Sequence, residues 1–195
     1  MAGEYLNKEL WKSIIIDHML NDIRWAIDAK RELVAARLLL AAIDVIAGLE
    51  RPVMQEETTG NDLIVWSDKY LCIAGSKYQL KGLDIWGARC GFLHGYTANA
   101  RVVRDGRARM LSYVDVAAEP VMTESADKGL VLASLDALFK AFVTGVIDTM
   151  KRINRDETIA SRVNPRLEMV FRSVPATTSL QLYSDWQKPA RSCQS

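Results

Sequence analysis

Histidine is the scarcest chemistry-bearing residue of this 195-residue chain, with two copies, His18 and His94. A reaction that needs a side chain titrating near neutral pH therefore has very few candidates. Cysteine is nearly as scarce. Cys72, Cys90 and Cys193 are odd in number, widely spaced and without a Cys-x-x-Cys pair, which argues against a disulfide framework and a structural zinc site and fits a reducing, cytoplasmic setting. No apolar run is long enough to suggest a transmembrane helix or a secretory signal, so no membrane partner is expected. Internal repeats and low-complexity segments are absent too, and a net charge of +1 gives no global reason to expect nucleic acid. What remains is the composition of an ordinary globular protein, 49% hydrophobic and 25% charged. A chain of this size buries about 70% of its unfolded surface and needs no metal or cofactor to hold a core.

The balanced total hides an uneven distribution. Residues 1–50 carry eight acids against six bases, whereas residues 84–113 carry Arg89, Arg101, Arg104, Arg107 and Arg109 against only Asp84 and Asp105. All the bases of that segment are arginines, whose planar fork suits bidentate phosphate contacts. Arg101, Arg104, Arg107 and Arg109 are accordingly candidates for holding a nucleic-acid backbone. A solvated face that discourages edge pairing is the plainer alternative.

Apolar spacing predicts a mostly helical bundle. Amphipathic helices are expected over 5–29 and 32–48, a shorter one from Leu63 to Ile73, and a fourth from about Tyr78 to Gly95. Asp105-Gly106, set between Arg101-Val-Val-Arg104 and Arg107 to Val114, signals a β-hairpin at about 100–115. A long helix is expected from about Ser125 to Asn154, closing a domain over 1–155. Residues 156–195 are expected to hold a short helix around Pro165 to Arg172 and a loosely ordered tail. Trp11, Trp25, Trp66 and Trp86 read as core. Gly87, Gly91 and Gly95 recur every four residues on one stripe of the fourth helix, inviting close approach by a neighbouring helix or by a second copy of the chain.

The chemistry concentrates in Arg89-Cys-Gly-Phe-Leu-His94-Gly-Tyr96. Arg89 and His94 lie about 140° apart on an ideal helix, so they share a face only where the helix tightens or ends. An imidazole beside a fixed cation is the minimum equipment for metal-free RNA cleavage: a base takes the ribose 2′-hydroxyl proton, an acid protonates the leaving 5′-oxygen, and the cation stabilises the phosphorane. One histidine cannot easily fill both proton roles. Two copies meeting at the glycine face would supply a second His94 and a second Arg89. The bland alternative is that His94 merely bonds the last carbonyls of its helix. Asp84, in turn, could pair with Arg89 or orient its guanidinium, and His18 reads as structural.

The motif resembles that of the HEPN superfamily, whose ribonuclease members carry an arginine, four to six intervening residues and a histidine. Arg89-x4-His94-x-Tyr96 matches the longer Arg-x4-His-x-Tyr form of its toxin-like subgroup. The resemblance implies an all-helical bundle, a homodimer with the motif at its interface, and metal-independent endoribonuclease activity of defence or toxin–antitoxin type. It also implies a possible nucleotidyltransferase-type antitoxin that inactivates the toxin by adding AMP to the motif tyrosine, here Tyr96. Cys90 stands where family nucleases commonly have asparagine or aspartate. Non-cleaving members of the superfamily bind RNA or nucleotides, or serve as scaffolds, and that is the alternative function.

Overall fold

Nearly every long apolar stripe of the sequence becomes a helix wrapped around one central helix. A computed structural model describes residues 4–76, 79–95, 97–114, 123–124 and 129–170. In chain order these form α1 (Lys8–Trp11), a π-helical stretch (Lys12–Leu20), α2 (Asn21–Asp28), α3 (Glu32–Leu49), α4 (Gly60–Tyr70), α5 (Gly82–Gly95) and α6 (Arg101–Arg104). The strands β1 (Met110–Val114), β2 (Thr123–Glu124) and β3 (Leu130–Ser134) follow, then α7 (Leu135–Arg155) and α8 (Glu157–Met169). The protein is mostly helical with a small sheet. Among the described residues no helix is long and apolar enough to cross a membrane.

α3 is apolar on most faces, and it packs against α2, α4, α5, α7 and α8. Its Ala35, Ala36, Leu39, Leu40, Ile43 and Ile46 are fully enclosed. α4 starts at a capping box, in which Thr59 Oγ1 accepts from the Asp62 amide and Asp62 Oδ2 accepts from the Thr59 amide. Burial alone would lift the Asp62 carboxyl, but hydrogen bonds from Thr59 and Gln55 and the Arg51 charge bring it below the usual carboxylate range.

Three expectations are corrected. The hairpin does not form, because Arg101–Arg104 is a helical turn whose Asp105-Gly106 is a C-terminal cap. Gly106 has φ +68°, its amide donates to Val103 O at 2.9 Å, and the Arg107 amide donates to Val102 O at 3.0 Å. That is the Schellman pattern. A hairpin turn and a helix cap both require a left-handed residue, and glycine serves either equally well. β1 pairs instead with β3, in parallel from Met110↔Leu130 to Val114↔Ser134, and β2 runs antiparallel on the other edge of β3.

The long final helix therefore starts later than its apolar stripe suggests. Leu130–Ser134 is strand, and Ser134 caps α7 by accepting from the Ala137 amide. Trp25 is no core residue either, being 67% exposed. Beyond residue 155, α8 buries Ile159, Ala160, Val163 and Leu167 in the same apolar cluster as Leu6 and Trp11. Tyr96, Cys193, Trp186 and the tail beyond Val170 lie outside the described residues.

Candidate functional site

α5 carries both motif side chains, and α3 supplies a third group that the motif does not contain. Arg89 Nε and Nη2 donate to Asp44 Oδ2 at 3.1 and 2.7 Å, and Arg89 Nη1 lies 2.8 Å from His94 Nε2. The guanidinium carbon sits 5.4 Å from the centre of the Trp86 ring, one helical turn earlier. Trp86 is itself seated against Gly60, where a Cβ would come within 2.7 Å of the ring. Arg89 is thus fixed on three sides. Its long side chain covers the angular gap to His94, which stands exposed near the end of α5.

Asp44 is absent from the sequence expectations, although a signal for it exists. It is the only charged residue between Arg37 and Glu50, inside an otherwise apolar helix. A carboxylate there demands a cationic partner. Cys90 is half-buried beside the pair; burial raises its thiol above the usual range, and the charge and hydrogen bond of Arg89 only partly offset that.

The glycine stripe is filled from within the chain. A Cβ at Gly87 would meet Val103 Cγ2 at 3.2 Å and Ala108 Cβ at 3.4 Å, and one at Gly91 would collide with the Thr97 carbonyl. Gly87 and Gly91 are buried, whereas Gly95 is exposed and faces only the Thr97 methyl. The close approach at Gly87 and Gly91 is intrachain, which leaves no backbone groove there for a second copy.

The four arginines downstream part company. Arg109 turns inward: its amide donates to Asp84 Oδ1 at 2.8 Å, its Nε and Nη2 donate to Asp84 Oδ2 at 3.1 and 2.6 Å, and Nη2 also donates to Gln79 O at 2.9 Å. It is structural and is withdrawn from the nucleic-acid candidates, while Asp84 pairs with it rather than with Arg89. Arg104 Nη1 donates to Asn99 O at 2.7 Å, and Arg101 lies 3.6 Å from Asp105 with its side chain 87% exposed. Arg107 is exposed.

His18 takes a local role, with Nδ1 2.5 Å from Ser13 O inside the π-helical stretch. Among the described residues no three His, Cys, Asp or Glu side chains gather as metal ligands. What the arrangement offers chemically is an exposed imidazole held against an immobilised guanidinium. No family model, curated protein or solved structure matches the chain.

Proposed function

We propose that the protein is a metal-independent endoribonuclease with a HEPN-like helical bundle, of defence or toxin–antitoxin type. The observation that carries this reading is the 2.8 Å contact between Arg89 Nη1 and the exposed His94. His94 takes the proton of a ribose 2′-hydroxyl, whose oxygen attacks the adjacent phosphorus. The bond from phosphorus to the 5′-oxygen breaks, and the 5′-oxygen leaves protonated. Arg89 stabilises the charged phosphorane, and the products are a 2′,3′-cyclic phosphate and a 5′-hydroxyl.

A second copy of the chain supplies the second proton-transfer group. With Gly87 and Gly91 occupied, the surface offered to it is the apolar flank of α2 and α3, where Trp25, Leu33, Val34 and Leu38 are exposed. Leu33 lies on the same side of α3 as Asp44, eleven residues before it. Arg101, Arg104 and Arg107 hold the RNA backbone. Tyr96 contacts substrate or accepts an inactivating modification from a nucleotidyltransferase-type antitoxin.

The alternative, an RNA- or nucleotide-binding or scaffold protein of the same fold, is favoured by one observation. Asp44 already neutralises much of the Arg89 charge. The test is incubation of the protein with labelled single-stranded RNA in EDTA, beside His94→Ala and Arg89→Ala. Cleavage ending in a 2′,3′-cyclic phosphate by the wild type alone is the expected result. Intact RNA that is still bound in a salt-sensitive way would support the alternative.

A further inference from the structure

The Arg89 to His94 contact fixes a protonation pattern as well as a distance. A guanidinium has five N–H donors and no acceptor. In the pair at 2.8 Å, His94 Nε2 is therefore the acceptor and carries no proton. The ring is then neutral with its proton on Nδ1, and a neutral imidazole has a single basic lone pair. That lone pair is the one pointing at Arg89. The group best placed to act as base is covered by the cation beside it.

We propose that Arg89 caps the only basic nitrogen of His94 in the resting protein, that Asp44 is the positioning residue for this cap, and that a phosphate-type oxyanion opens it by taking the Arg89 Nη1 donor. The inference rests on the nuclease reading for its biological oxyanion, the phosphodiester of RNA.

Three features support it. First, the guanidinium is anchored and the imidazole is not. Asp44 takes Nε and Nη2, and Trp86 lies against one face, whereas His94 is exposed and followed by the exposed Gly95. When the contact breaks, His94 is the partner that moves. Second, the clamp leaves Nη1 as the terminal nitrogen turned away from Asp44, so an incoming ligand meets the guanidinium at the nitrogen that His94 already contacts. Third, the competition is unequal. A hydrogen bond to an anionic oxygen is roughly twice as strong as one between neutral partners, and it is shorter. An oxyanion that takes the Nη1 N–H now held by His94 is therefore the stronger acceptor for it. No covalent bond changes in this step: Nη1 exchanges one acceptor for another, and the Nε2 lone pair becomes available for a hydroxyl proton. Asp44 acts only through Arg89, by holding it where both acceptors can reach.

The test is long-range ¹H–¹⁵N spectroscopy of the imidazole nitrogens in the full-length ¹⁵N-labelled protein, at a pH where the rings are neutral. With two histidines in the chain, His94→Gln assigns the signals. The expected result is a His94 ring protonated on Nδ1 in the wild type. Arg89→Ala and Asp44→Ala lose that preference and shift His94 toward the Nε2–H form. Titration of the wild type with inorganic phosphate moves the His94 Nε2 signal and leaves His18, bonded to Ser13 O, unmoved.

A wild-type His94 protonated on Nε2 would overturn the proposal, as would a phosphate response that persists in Arg89→Ala. Absence of any response at saturating phosphate would also overturn it. The wild-type titration needs no variant to fold. Because the spectra contain no RNA, a correct cap without RNA cleavage would sink the nuclease reading alone, and cleavage without the cap would sink this inference alone.

Discussion

α5 holds one member of each of two aspartate–arginine pairs, and the two pairs do opposite things. Asp84–Arg109 has side chains 1% and 16% exposed, with Asp84 accepting from the Lys81 and Arg109 amides as well as from the guanidinium. Asp44–Arg89 has side chains 21% and 22% exposed, and it still directs one donor toward His94. The chemistry of the partners is identical. Burial of Asp84 and the further bond from Arg109 to Gln79 O turn the first pair into a clasp between α5 and the residue that leads into β1, while in the second pair Nη1 faces the exposed His94. A buried pair is costly to break because the survivor is left charged without water. A fully exposed one contributes about 0 to 1 kcal/mol, and the half-buried Asp44 pair falls between the two.

The largest expected effect breaks the buried side of that comparison. Asp84→Ala should cost about 3 to 5 kcal/mol in urea denaturation, while Asp44→Ala, at the less buried pair, should cost less, about 1 to 2 kcal/mol. Equal losses would mean that both pairs are structural. Next comes activity on RNA. Arg89→Ala and His94→Ala should lower cleavage by about 10²- to 10⁴-fold, with stability nearly unchanged for His94→Ala and modestly reduced for Arg89→Ala, which leaves Asp44 unpaired. Arg89→Lys should not restore it, since a single ammonium cannot bond Asp44 twice and His94 at once.

Smaller is the pH response of the α4 cap. Because the Asp62 carboxyl is held below its unfolded value of 3.8, its contribution is complete above that value and is lost as the pH falls through the lower, folded one. Asp62→Ala should cost about 1 kcal/mol at neutral pH and little in strong acid, compared by thermal denaturation. Smallest is a reactivity difference. Iodoacetamide should modify the exposed Cys72 faster than the half-buried Cys90, whose raised thiol holds less thiolate at any given pH. Mass spectrometry of peptides over a time course reads this directly, and faster labelling of Cys90 would mean that the Arg89 charge outweighs burial there.

Much of the helical architecture was legible because apolar spacing reports burial. The run from Leu33 to Leu49 marks the central helix, and Gly87 and Gly91 mark a tight approach. What spacing cannot report is the identity of the partner. The stripe reads the same whether Val103 and Thr97 or a second copy fills it. Asp105-Gly106 specifies a left-handed glycine without saying whether a strand or a helix precedes it. Leu130–Ser134 has an apolar content that suits a helix as well as an enclosed strand, and only pairing with β1 decides. Arg89 and His94 are visible as a motif because they are close in sequence. Asp44 and the inward turn of Arg109 depend on contacts 45 and 25 residues away, which no local window contains.

Those separations also differ in what they cost to close. Asp44 and Arg89 close a loop of 45 residues, whereas Leu6 reaches Asn154 and Asn164 reaches Tyr5 across 148 and 159. Closure entropy rises with the logarithm of loop length, so joining the distant ends costs about 1 kcal/mol more than joining the clamp. The clamp needs only the first half of the chain. On closure entropy alone, the candidate chemistry rests on a cheaper contact than the one that seals the ends of the fold.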